Sequence, residues 1–182
     1  SLHDALPIFN LKKKKSSDCK ELPFNAHGCD WSKSTDRIAI FGYRKDEFKS
    51  PPVLQIYDWK NKKVLFEESS ELGNRLAWSP DGKLLAINVR DSGVKIFDSE
   101  QDWKSVVFGE DSVRGVGFFA WSPDSTKIAL TKFKDLKVFD VKSGKQVFQK
   151  VLENPRDVSW SADGKTILCR YCFNPDDYYK VN

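Results

Sequence analysis

One short phrase is written four times along this chain. Ala77-Trp78-Ser79-Pro80-Asp81-Gly82-Lys83 returns as Ala120-Trp121-Ser122-Pro123-Asp124-Ser125-Thr126 and as Ser159-Trp160-Ser161-Ala162-Asp163-Gly164-Lys165. A degenerate copy stands at Asp30-Trp31-Ser32-Lys33-Ser34-Thr35-Asp36. The tryptophans are 47, 43 and 39 residues apart. A period of this size marks one supersecondary unit stacked on copies of itself, because a single unit cannot bury its own apolar face. Three further elements keep the same phase. An apolar triplet begins seven residues after each Trp, as in Leu85-Ala86-Ile87 and Ile128-Ala129-Leu130. An aromatic–Asp pair follows as Tyr57-Asp58, Phe97-Asp98 and Phe139-Asp140. The last element is Val64-Leu65-Phe66, Val106-Val107-Phe108 and Gln146-Val147-Phe148. Each period therefore holds four β-like runs.

The runs are joined by turn chemistry. Pro supplies a fixed φ and Asp-Gly reverses the chain in Trp-Ser-Pro-Asp-Gly, a hairpin signal between apolar runs. Arg90-Asp91-Ser92-Gly93 and Lys142-Ser143-Gly144-Lys145 join later runs in the same way. Four hairpin-linked strands make a small antiparallel meander that is apolar on both faces, and stacking meanders around an axis buries both. The reading is all-β: a β-propeller of about four blades of four-stranded antiparallel sheets, forming an open arc of a larger propeller. The pattern resembles the WD40 repeat, with Tyr57-Asp58, Phe97-Asp98 and Phe139-Asp140 in place of its naming dipeptide. The resemblance places Asp91 and Asp135 in the turn between second and third strands. The Gly-His dipeptide of that family is missing and only His27 comes near it, so its His–Asp network is not expected.

The expected organisation is residues 1–7 as an adaptor-like, non-native segment, 8–24 as a partial blade, 25–72, 73–114 and 115–154 as blades, and 155–182 as a second partial blade. The absence of Met agrees with a fragment of a longer chain. The blade at 25–72 carries a surplus between its second and third strands, Gly42–Pro52, read as a polar loop.

Composition narrows the function. With 40% hydrophobic and 31% charged residues the chain is globular in type. No apolar run approaches the roughly 20 residues of a membrane helix, and no signal-peptide pattern opens the sequence. The net charge of +4 is matched by the run Lys12–Lys15, read as a solvated loop, and nucleic acid is not an expected partner. Cys169 and Cys172 form a lone C-x-x-C without the second ligand pair that zinc requires. No cofactor and no metal are expected, and free thiols favour a reducing cytoplasm.

Catalytic chemistry finds few candidates. His27 has no nucleophile elbow to serve, and no Walker loop is present. Gly115-Val116-Gly117-Phe118-Phe119-Ala120 matches a dinucleotide pattern but runs into a strand where the motif needs a helix. The in-phase Trp31, Trp78, Trp121 and Trp160 are expected in blade packing, whereas Trp59 and Trp103 are candidates for exposed contacts. The expected function is a non-catalytic protein–protein interaction scaffold within a multiprotein complex. The alternatives are the propeller of a peptidase or TolB-like protein, or of a translation-initiation-factor-like protein. The candidate partner-binding residues are His27, Arg75, Arg114 and Arg156, one near the start of each first strand. Such a basic rim suits an acidic or phosphorylated partner segment. The alternative for the arginines is a local ion pair with Glu71, Asp111 or Glu153.

Overall fold

The computed structural model describes residues 9–10, 15–16, 24–44, 51–69, 72–89, 92–109, 117–132, 134–152, 155–171 and 178–181. All regular structure among them is β. A short hairpin pairs β1 (Phe9–Asn10) with β2 (Lys15–Ser16). Blade I follows as β3 (Phe24–Trp31), β4 (Arg37–Arg44), β5 (Val53–Asp58) and β6 (Lys63–Ser69). Blade II is β7 (Leu72–Trp78), β8 (Leu84–Val89), β9 (Gly93–Asp98) and β10 (Lys104–Phe108). Blade III is β11 (Phe118–Trp121), β12 (Lys127–Lys132), β13 (Asp135–Asp140) and β14 (Gln146–Val151). Blade IV contains β15 (Pro155–Trp160), β16 (Ile167–Tyr171) and β17 (Tyr178–Val181). Within each blade every strand pairs antiparallel with the next in sequence. The sheets stack as an open arc of propeller blades, with first strands packed side by side, β3 on β7 and β11 on β15.

The apolar triplets explain why each blade has two buried faces. Side chains alternate across a strand, so Leu85 and Ile87 point back towards blade I while Ala86 points forward towards blade III. The first seam buries Ala39, Phe41, Leu54 and Ile56 of blade I against Trp78, Leu85, Ile87 and Phe97 of blade II. The second packs Ala86, Val94, Ile96 and Phe108 against Trp121, Ile128, Leu130 and Phe139. Burial of each such Leu, Ile or Phe contributes roughly 1.5–3 kcal/mol, so the seams carry the fold.

The repeated phrase builds a turn and a clasp. Ser79 is buried; its hydroxyl donates to Asp81 Oδ1 at 2.6 Å and accepts the Leu84 N–H at 3.0 Å. Ser122 and Ser161 repeat the arrangement with Asp124 and Asp163. Gly82 and Gly164 sit at φ of 72° and 69°, and Ser125 takes the same left-handed conformation at 62°. These turns also touch one another: Ser34 Oγ donates to the Asp81 carbonyl at 2.6 Å, and the Asp81 N–H donates to Ser125 Oγ at 3.1 Å. The clasp is the indole. Trp121 Nε1 donates to the Ala77 carbonyl at 3.0 Å and Trp160 Nε1 to the Ala120 carbonyl at 3.1 Å, each reaching the preceding blade.

Several sequence expectations change. Gly42, Tyr43 and Arg44 belong to β4, paired with β3 and β5, so the loop is shorter than Gly42–Pro52. Arg44 ends the strand in an ion pair with Glu67, which also accepts from Gln55. Asp135 is not in the turn; it opens β13, paired with Lys132 and Val151. Asp91 lies outside the described residues, as do Lys12–Lys14, Gly115, Val116 and Cys172. The last repeated element is out of phase in blade II. Phe66 and Phe148 follow their Asp by eight residues and pair with Ile56 and Val138, whereas Phe108 follows Asp98 by ten and pairs with Val94, leaving Val106 opposite Ile96. Trp31 is 40% exposed, unlike Trp78 and Trp121. Trp59 and Trp103 are half-buried packing residues rather than exposed contacts.

Candidate functional site

Three of the four first strands enter the arc through irregular pairing. The register of β3 on β4 jumps at His27, that of β7 on β8 jumps between Leu72 and Leu76, and that of β15 on β16 jumps at Asp157, whose φ is 57°. A bulge turns the strand and re-aims its side chains. His27 and Arg75 fall within such irregular stretches, and both are exposed. The second strand supports two of the entries with a polar side chain at an equivalent position. Asn88 Oδ1 accepts the Arg75 N–H at 2.8 Å, and the buried Thr131 hydroxyl accepts the Phe118 N–H at 3.2 Å.

His27 is exposed and meets the Tyr43 ring edge-on, centroids 5.2 Å apart. Arg75 is exposed, and its guanidinium carbon lies 3.7 Å from the centroid of the Phe118 ring of blade III. Among the described residues no carboxylate lies within ion-pair distance of Arg75 or Arg156. Glu71, Asp111 and Glu153, the alternative ion-pair partners, are outside the described residues, and so is Arg114. Arg156 is exposed and stands across the ladder from the exposed Arg170, a second arginine that the repeat phase does not reveal. The structure brings Arg75 close to blade I: a cleft of about 280 Å³ is lined by Gly28, Cys29, Arg75, Leu76, Ala77 and Phe119. It places no such link between Arg156 and Arg75. They precede their tryptophans by four and three residues, so they are not equivalent positions of one ring.

The remaining reactive groups are structural in setting. Cys169 packs in the seam between blades III and IV, where burial and then the nearby Asp157 carboxylate push its thiol up to about 11. That thiol stays protonated at neutral pH and is a poor nucleophile or metal ligand. Asp124 is held down at about 2, first by the Ser122 hydroxyl and then by the Thr126 N–H. The Asp140 carboxyl is lowered by the Ser143 hydroxyl and N–H, and that of Asp58 by Asn61. These aspartates cap turns. Among the described residues no group of three His, Cys, Asp or Glu side chains is placed to hold a metal ion, and no helix is long and apolar enough to cross a membrane.

Residues 53–107, from the third strand of blade I to the fourth strand of blade II, match the family described as the Anaphase-promoting complex subunit 4 WD40 domain. The match supports a WD40-type propeller for these repeats. Among solved structures the chain is similar to Kuenenia stuttgartiensis Hydrazine Synthase, with a TM-score of 0.69 and 16% sequence identity. The likeness covers 91% of this chain and 49% of that one, so this chain spans about half of the similar structure. At that identity it speaks for the fold alone. No curated protein sequence matches the chain.

Proposed function

We propose that this WD40-type arc is a non-catalytic, cytoplasmic interaction module of a multiprotein assembly, and that its first-strand rim recognises an acidic or phosphorylated segment of a protein partner. The observation that carries the reading is Arg75. Its guanidinium fork lies over the Phe118 ring beside a cleft and has no described carboxylate within ion-pair distance. Such a fork matches the two oxygens of a carboxylate or phosphate. Arg156 and Arg170, opposite one another in blade IV, supply a cationic pair. The WD40 match supports the reading further, because the matching family is named for a subunit of a complex.

The test is quantitative capture from lysate, with the wild type beside Arg75→Ala/Arg156→Ala. Each substitution is expected to weaken the partner by about 2 kcal/mol, and binding should fall with added salt. An unchanged partner list at both ionic strengths would place the interface elsewhere on the molecule.

A further inference from the structure

The two inner seams of the arc differ at their outer, turn-side ends. In the seam between blades I and II, Trp103 folds back from the turn after β9. It stacks on Phe66 with centroids 5.5 Å apart, meets Trp78 edge-on at 6.2 Å, and lies under the Arg37 guanidinium at 5.6 Å. Trp103 holds a left-handed φ of 59° to do so. The strand pairings identify the same positions one blade further on. Arg37 and Leu84 stand opposite Asp58 and Asp98, while Phe66 and Val106 stand opposite Ile56 and Ile96. Leu84 and Val106 therefore occupy the places that hold Trp103 in the first seam. Blade III has no aromatic to lay on them: its turn runs Val141-Lys142-Ser143-Gly144-Lys145. What remains is a groove of about 540 Å³ with Leu84, Ile96, Val106 and Phe108 on one wall and Val141 on the other. Val106 is 61% exposed.

The groove also has a sign. Its lining holds four carboxylates, Asp81, Asp98, Asp124 and Asp140, against Lys104 and Lys142, while Lys83 and Lys127 stand beside the same aspartates outside the lining. Asp124 and Asp140 are ionised at neutral pH, since hydroxyl and amide donors in their turns stabilise the carboxylate form. The groove volume falls in the range of pockets that enclose a small ligand or a pair of side chains. Helix-free, shallow and apolar-floored, it suits an extended segment.

We propose that the groove between blades II and III is a docking site for a linear segment of a partner protein, in which one aromatic side chain lies over Leu84 and Val106 as Trp103 does in the first seam, and a flanking lysine or arginine meets the aspartates. The occupant is thus aromatic and basic, opposite in charge to the segment proposed for the rim, and the two sites stand at different ends of the blades.

The test uses the 182-residue chain and three capped, fluorescein-labelled peptides of the pattern Gly-Lys-Trp-Lys-Gly, Gly-Glu-Trp-Glu-Gly and Gly-Lys-Ala-Lys-Gly, read by fluorescence polarisation. The first is expected to bind with Kd below about 1 mM, and each of the others at least about tenfold more weakly. Val106→Trp should fill the groove and reduce binding of the first peptide about tenfold, whereas Arg75→Ala should leave it unchanged. A urea melt of Val106→Trp shows whether that variant is folded. Should it not be, Val106→Lys at this exposed position serves instead, with the same expected loss. Equal binding of all three peptides, no binding at 1 mM, or full binding to the folded groove variant would overturn the proposal. Loss of binding with Arg75→Ala would move the peptide to the rim and would overturn it too.

Discussion

Between blades I and II an indole closes the outer seam; between blades II and III the same strands and the same Trp-centred phrase leave it open. The inner halves differ in the opposite sense. Trp121 donates its indole N–H to Ala77 across the open-mouthed seam, but the buried Trp78 Nε1 has no hydrogen-bond partner in the filled one. There the residue corresponding to Ala77 is Asp30, and its carboxylate takes the backbone N–H of Trp78 at 2.8 Å instead. Both seams bury apolar side chains, but the bond across one is an indole N–H to a carbonyl and across the other a backbone N–H to a carboxylate. A repeat that looks uniform in sequence can hold successive blades by different physical means.

The contrast can be broken experimentally. Trp103→Ala should cost about 3 kcal/mol in urea-unfolding free energy, because it empties a packed seam. Val106→Ala, on the open side, should change stability by less than about 0.5 kcal/mol. Equal losses would mean that Trp103 does not close its seam.

The turns offer a second comparison. A Cβ on Gly82 would collide with the hydroxyls of Ser34 and Ser32 at the first seam, whereas one on Gly164 would meet only Pro123 Cδ, at 3.6 Å. Both glycines have left-handed φ. Gly164→Ala should therefore lose about 1 kcal/mol for its backbone alone, and Gly82→Ala about 2 kcal/mol or more. Matching melting temperatures for the two variants would contradict the close approach.

The indoles separate the seams more finely. Trp121→Phe removes a satisfied donor and strands the Ala77 carbonyl, an expected loss of about 1 kcal/mol beyond the packing change. Trp78→Phe removes an unsatisfied donor and should spare that term. The difference between the two variants, read from parallel denaturant titrations, is the measurement; a larger loss for Trp78→Phe would reverse the assignment.

The smallest effect is in pH. Asp124 has its carboxyl depressed to about 2 in the folded chain from an ordinary 3.8. Its contribution to stability is complete above pH 3.8 and is lost as pH falls through 2. The carboxylate is exposed, so the contribution is less than about 1 kcal/mol. Asp124→Asn should flatten the stability profile between pH 4 and pH 2 relative to wild type.

Much of this architecture is legible in the sequence because it is local. Pro80-Asp81-Gly82 specifies its own turn, and alternation in Leu85-Ala86-Ile87 specifies two buried faces. That triplet forms the middle of β8, Leu84–Val89. What escapes the sequence depends on a neighbouring blade. Nothing in Asp102-Trp103 says that the indole turns back onto Phe66, and Asp30 reads as a degenerate Ala until its carboxylate is seen beside Trp78. The bulges at His27 and Asp157 are likewise invisible, since register is a property of two strands. Arg75 is placed near its strand start by repeat phase, but its stacking on Phe118 crosses a blade boundary.

Asp81 takes part in the turn of blade II, yet its carbonyl accepts from Ser34 on one side while its N–H donates to Ser125 on the other. Two backbone groups of one residue, in adjacent peptide units, thus tie three blades without using the side chain at position 81. An unzipping front that peels blade I from the arc must break the Ser34 bond but leaves the Ser125 bond standing, so the advance can halt at each blade. Opening would then proceed in blade-sized steps, with nearest neighbours coupled and distant ones not.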